Sequence, residues 1–169
     1  MRRSEWLDKK ARLEQVFNRY EHLPVLPPDI RLHWVKYLVI LTSGFVESSI
    51  AYIYGDYAQD KATPRLQRYI ASRLDSPGNM SWDRLSRLVQ SFGTDWIDEL
   101  NQHPDRLQLK SALDSIISNR NNIAHGENIA TTIGQLRSYY DSVVRLLDFL
   151  YEQCDRESQS HRFSRRQRR

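Results

Sequence analysis

Hydrophobic and polar positions follow each other along most of the chain with the spacing of α-helices. In successive stretches apolar residues recur every three or four positions, and most of the glycines and prolines fall between these stretches. No stretch shows the strict alternation of apolar and polar residues that predicts a half-buried β-strand. The pattern therefore predicts an all-α protein.

The periodic stretches predict helices over about 4–20, 29–54, 64–74, 82–92, 95–101, 105–124 and 132–155. Ser81 is placed to cap the start of one helix, and Gly93 and Gly126 are placed to end two others. Thr132 followed three residues later by Gln135 predicts a capping box at the start of the last helix. We expect an antiparallel helical bundle built on helices 29–54, 105–124 and 132–155.

Charge divides the chain into two parts. The formal net charge is +4 over 169 residues, but residues 156–169 hold six arginines and a single acid, a balance of +5 that leaves −1 for the rest. We predict one helical domain over 1–155 and a basic, disordered tail over 156–169. The tail is either a solvated chain end or a contact for RNA through counterion release. Its candidate RNA-binding residues are Arg165, Arg166, Arg168 and Arg169.

Composition also narrows the cellular setting. A single cysteine, Cys154, excludes an internal disulfide and a cysteine-based zinc site. The first fifteen residues are polar and offer no apolar core for a signal peptide. The most hydrophobic run, residues 34–46, contains Lys36 and is too short to cross a bilayer, so it predicts a buried helix. We expect a soluble cytoplasmic protein without membrane contact.

One position breaks the apolar stripe of helix 105–124. The stripe comprises Leu109, Leu113, Ile116 and Ile117 and resumes at Ile123 and Ala124. At 3.6 residues per turn the position between the two parts is 120, and it holds an arginine. A guanidinium on a buried face is costly unless it is paired or lines a wet cleft. Arg120 therefore needs a functional or an electrostatic explanation.

The residues that follow Arg120 give a recognisable motif. The segment from Arg120 to Gly126 has the form RNxIAHG, in which arginine and His125 form an RxxxxH pattern with polar Asn121 directly after the arginine. This resembles prokaryotic members of the HEPN superfamily, and the layout of residues 29–155 is similar to theirs. The resemblance implies a HEPN-like bundle with extra N-terminal and inserted helices.

The resemblance also implies an activity. HEPN ribonucleases bring two motif copies together in a homodimer with a composite active site and cleave RNA without a metal or other cofactor, by 2′-hydroxyl attack that leaves a 2′,3′-cyclic phosphate. Arginine suits phosphate binding because its planar fork stays charged. Histidine can give and take protons near neutral pH, and the helix C-terminus favours its protonated form. We predict His125 as general acid or second cation, and a toxin or phage-defence role with a possible antitoxin or regulatory partner.

The spacing of the motif leaves two arrangements open. Residues five apart on a straight helix differ by about 140° around its axis, so Arg120 and His125 of one chain point in different directions. Either the helix distorts at 123–124, or Arg120 of one subunit meets His125 of the other. Asn121 shares a face with His125, and we predict that its amide orients the imidazole.

Two further residues are weaker candidates. Glu47, at the end of the hydrophobic run, either holds Arg120 through an ion pair or is an ordinary charge at the edge of a buried helix. Asn122 either contacts RNA or serves the helix end, as asparagines near helix ends commonly do.

Other functional classes find little support in the residues. The sequence contains no glycine-flanked nucleophilic serine, no phosphate-binding glycine loop and no clustered metal ligands. The main alternative is a non-catalytic HEPN module for dimerisation or for binding nucleic acid or nucleotides, in which Arg120 forms a closed structural pair.

Overall fold

The computed structural model describes residues 3–21, 25–59, 61–74 and 79–166. Within these ranges the chain forms seven α-helices and no strand, which confirms the all-α prediction. The helices are α1 (Arg3–Glu21), α2 (Pro28–Gln59), α3 (Pro64–Leu74), α4 (Trp82–Phe92), α5 (Thr94–Asn101), α6 (Arg106–Ala124) and α7 (Ile133–Arg166).

The local signals in the sequence mark the helix starts correctly. The Ser81 hydroxyl accepts a hydrogen bond from the Arg84 amide at 3.4 Å, as an N-cap does. At the start of α7 the Thr132 amide donates to Gln135 Oε1 at 2.9 Å, and the Gln135 amide donates to the Thr132 hydroxyl at 3.3 Å. These reciprocal bonds are the predicted capping box.

The last helix is longer than the sequence pattern predicts. α7 continues to Arg166, so residues 156–166 are helical where we expected a disordered tail, and residues 167–169 lie outside the described part. No glycine or proline follows Gly134 to end the helix. Local side-chain bonds also occur past the predicted end, from Ser158 Oγ to the Cys154 carbonyl at 2.9 Å and from Gln159 Nε2 to Asp155 Oδ2 at 2.8 Å.

The core lies where α2, α6 and α7 pack against one another, as the sequence analysis predicts. α6 and α7 form an antiparallel hairpin. Two contacts show the direction: Gln108 Nε2 donates to Ser142 Oγ at 3.5 Å, and Arg145 forms a 3.2 Å salt bridge with Asp105. The beginning of α6 therefore lies beside residues 142–145 in the first half of α7, and the end of α6 lies near the start of α7. The apolar stripe of α7 is buried throughout: Leu136, Tyr140, Val143, Leu147, Leu150 and Cys154.

α1 covers the bundle and runs antiparallel to α2. Near its start the Trp6 indole donates to Ser49 Oγ at 3.0 Å, and near its end the ring of Tyr20 lies 6.2 Å from the ring of Trp34. Pairs at both ends thus fix the direction of α1.

α2 is the central helix of the domain. It is the one helix among the described residues that is apolar and long enough, by these two criteria alone, to cross a membrane. However, 61% of its most apolar stretch of 18 residues is buried inside the protein, as in the core helix of a globular domain. This burial matches the prediction of a buried helix for residues 34–46.

Candidate functional site

The RxxxxH motif lies at the C-terminal end of α6. The helix is regular to Ala124, and His125 is its C-cap, with φ −89° and ψ 5°. The His125 amide still donates to the Asn121 carbonyl at 3.0 Å, the bond that a helix makes at this position. The helix therefore reaches His125 without the distortion that we considered for residues 123–124.

Gly126 ends the helix as predicted, by a specific backbone geometry. Its φ is 76°, in the left-handed region that favours glycine. The Gly126 amide donates to the Ile123 carbonyl at 3.1 Å, and the Glu127 amide donates to the Asn122 carbonyl at 2.7 Å. These two bonds form a Schellman motif, which satisfies the last carbonyls of α6 and turns the chain away directly after His125.

The Arg120 side chain is half-buried and contacts its neighbour in sequence. Arg120 Nη1 donates to Asn121 Oδ1 at 3.4 Å, a long hydrogen bond. We predicted that Asn121 orients the His125 imidazole, but within the described residues the recorded Asn121 side-chain bond is this one with Arg120. In the single chain, Asn121 thus supports the arginine of the motif and not the histidine.

Arg120 and His125 occupy different surfaces of the helix. Arg120 continues the buried stripe of Leu109, Leu113 and Ile116, whereas the His125 side chain is exposed. With α6 helical through Ala124, the two residues are separated by about 140° around the axis and about 7.5 Å along it. In one chain the two residues therefore leave the helix in different directions.

Glu47 lies toward the opposite end of α6 from Arg120. Phe45, two residues before it, packs 6.1 Å from the ring of Tyr140, and Gln108 bonds to Ser142 on the same part of α7. This part of α2 is therefore level with the beginning of α6, whereas Arg120 lies about 18 Å further along that helix. No salt bridge joins Glu47 to Arg120 among the described residues, so of the two alternatives for Glu47 the ion pair is not formed within the chain.

The weaker candidates are placed as follows. The Asn122 side chain is half-buried, and its carbonyl takes part in the Schellman motif. Arg165 and Arg166 end α7, and the backbone of Arg165 lies about 48 Å along that helix from Ile133, near the motif. Arg168 and Arg169 lie outside the described residues. The described end of α7 is thus remote from the motif of its own chain.

Sequence reasoning assigned no role to the link between α6 and α7, which the structure places next to the motif. Thr131 Oγ1 donates to Asn119 Oδ1 at 2.9 Å, so the residue directly before Arg120 contacts the segment that begins with His125. The available signal was an asparagine one position before the motif arginine. In the described part of the chain, no group of three or more His, Cys, Asp or Glu residues is arranged to hold a metal ion.

Comparison with known proteins gives one family. The model of the family described as RiboL-PSP-HEPN matches residues 7–156, which include most of α1, the whole of α2 to α6 and the first two thirds of α7. The match thus begins well before residue 29, where the resemblance in the sequence starts. No curated protein and no solved structure gives a significant match.

Proposed function

Because this chain belongs to the RiboL-PSP-HEPN family, within the HEPN superfamily, we propose that it is a metal-independent endoribonuclease. The family suggests a nuclease or RNA-related function in general. The observation that carries the finer proposal is Arg120, a half-buried arginine in an apolar stripe with no salt bridge to any described carboxylate. A half-buried guanidinium without a carboxylate partner can pair with an anion from outside the chain, and an RNA phosphate is such an anion.

The chemistry follows from the two side chains. The ribose 2′-hydroxyl gives its proton to a water molecule and its oxygen bonds to the adjacent phosphorus, while the bond from phosphorus to the 5′-oxygen breaks. Arg120 stabilises the charge that develops on the phosphorane oxygens. His125 gives a proton to the departing 5′-oxygen. The products are a 2′,3′-cyclic phosphate and a 5′-hydroxyl.

The geometry of α6 supports a site shared between two subunits. On the undistorted helix Arg120 and His125 of one chain start in different directions, and in this proposal a second copy brings an arginine beside a histidine. A two-fold symmetric homodimer supplies both pairs at once. In this proposal dimerisation is required for activity.

The cellular role is a further step that rests on family habit. We propose a cytoplasmic toxin or phage-defence effector whose RNA cleavage slows growth, held in check by an antitoxin or regulatory protein. The arginines at the end of α7 add a salt-dependent affinity for long RNA. The alternative role is a non-catalytic HEPN module for dimerisation or for binding nucleic acid or nucleotides.

The test uses purified full-length protein and an end-labelled, structured RNA in EDTA. We expect cleavage with cyclic phosphate ends in the wild type and none in Arg120→Ala or His125→Ala, each checked for helix content and dimer mass. Arg145→Ala is the matched control, because Arg145 pairs with Asp105 at the opposite end of α6. This variant should remain active. Absence of cleavage by a folded dimer across several RNAs would favour the binding module.

A further inference from the structure

The segment between α6 and α7 carries His125 and is fixed at both ends. At its start the Schellman bonds hold Gly126 and Glu127 to carbonyls of α6. At its end Thr132 belongs to the capping box of α7. Between them Ile129 is buried in the hydrophobic core, with 8% of its surface exposed. The segment is therefore attached to the rest of the domain at both ends and in between, and the exposed His125 stands at its start.

A further attachment ties the last part of this segment, directly before the capping box, to α6 itself. Asn119 Nδ2 donates to the Ser115 carbonyl at 2.7 Å, and Asn119 Oδ1 accepts from Thr131 Oγ1 at 2.9 Å. The two bonds fix the orientation of the amide, because flipping it would set the amide oxygen against a carbonyl oxygen. The half-buried Asn119 side chain thus connects the helix turn that carries Arg120 to the segment that begins with His125.

We propose that Asn119 and Thr131 are positioning residues for His125. The pair holds the connection between α6 and α7 at one distance from the turn of Arg120, and so determines where His125 reaches the partner subunit's motif. This inference rests on the proposed ribonuclease function. Neither residue touches RNA in the proposal; both act through the placement of the histidine, whose proton transfer is sensitive to small displacements.

The bond can be removed without changing the shape of the residue. Thr131→Val replaces the hydroxyl with a methyl group of similar size, whereas Thr131→Ser retains the donor. We expect Thr131→Val to lower kcat about 10- to 100-fold with KM changed less than about threefold, because an ångström-scale misplacement of a catalytic group has effects of that order. Thr131→Ser should stay near the wild type. Equal kcat values for the two folded variants would overturn the proposal.

A second pair of variants approaches the same bond from the other side. Asn119→Asp keeps an acceptor for Thr131 but loses the donor to Ser115, whereas Asn119→Leu loses both bonds. We expect the loss of kcat to be larger for Asn119→Leu than for Asn119→Asp. The reverse order would contradict the positioning role.

A readout independent of cleavage separates this inference from the proposed function. In the full-length protein, the ¹H–¹³C signals of the His125 imidazole and the amide exchange of residues 126–130 report on the connection directly. We expect shifted His125 signals and faster amide exchange in Thr131→Val but not in Thr131→Ser. If the wild type cleaves no RNA, the ribonuclease proposal fails, and unchanged His125 signals in Thr131→Val would separately refute the positioning role.

Discussion

Mixing of inactive subunits tests the shared site most directly. In one chain Arg120 and His125 are about 7.5 Å apart along α6 and about 140° apart around it, so the two residues leave the helix in different directions. If each site takes its arginine from one subunit and its histidine from the other, a dimer of Arg120→Ala with His125→Ala keeps one intact pair and loses the other. Each parent homodimer keeps none.

The expected magnitude follows from these pairings. Random reassortment of equal amounts of the two variants gives about half mixed dimers, and each mixed dimer has one of its two arginine–histidine pairs intact. About a quarter of the wild-type activity should therefore return. The assay is the rate of EDTA-resistant RNA cleavage after the two variants are unfolded and refolded together. The matched control is Arg120→Ala refolded with the Arg120→Ala, His125→Ala double variant, in which no pair is intact.

Two results would refute the reasoning. Mixed dimers isolated with two different affinity tags and lacking any activity would exclude a site assembled from an arginine and a histidine of different subunits. Full activity of a wild-type monomer at high dilution would show that one chain suffices. Recovery near a quarter, confined to the mixed dimers, is the outcome that the geometry of α6 predicts.

Three further predictions concern other parts of the molecule. Gly126→Ala should lower the free energy of unfolding by about 1 kcal/mol, because φ of Gly126 is 76° and an added Cβ meets no atom within 4 Å, so backbone strain is the main cost. The control is Gly134→Ala, at a glycine without positive φ, which should not lower it. Equal shifts of the urea midpoint in the two variants would contradict this prediction. Burial raises the pKa of the Cys154 thiol from 9.0 to about 12, so the thiol should react with a disulfide reagent at pH 8 only when the protein unfolds. The stability that comes from keeping the thiol neutral is complete below pH 9 and should be lost as the pH rises from 9 toward 12. A Cys154→Ala variant should show a weaker decline in urea midpoint over that range. Deletion of residues 160–169 should weaken salt-dependent binding of long RNA while leaving cleavage of a short RNA unchanged, since the segment is remote from its own motif; loss of short-RNA cleavage would refute this.

Much of the fold follows from the sequence because its signals are local. Ser81, the Thr132–Gln135 box and Gly126 each act within a few residues of their own position, so their roles can be predicted without knowledge of the packing. The end of α7 was predicted wrongly because charge density was taken as a sign of disorder. Helix continuation depends instead on the absence of a breaker, and none follows Gly134.

The site residues also divide into those that local sequence signals identify and those whose position depends on packing. The apolar periodicity of α6 identifies Arg120 as anomalous, and the motif adds His125. The position of Glu47 depends on which parts of two antiparallel helices lie side by side, and only contacts such as Phe45 with Tyr140 fix that level. Asn119 was missed as a positioning residue because its partner Thr131 lies on the far side of a turn.

The three residues at 119–121 together explain how the end of α6 is organised. Successive residues on a helix point about 100° apart, so Asn119, Arg120 and Asn121 face three different directions. Asn119 faces the connection and bonds to Thr131, Arg120 continues the buried stripe, and Asn121 lies beside the guanidinium that it accepts from. One asparagine thus serves the segment that carries His125, and the other serves Arg120. Apolar periodicity is therefore broken at Arg120 alone, where the proposed chemistry requires a cation, while the asparagines on either side of it lie off the stripe and hold the end of the helix.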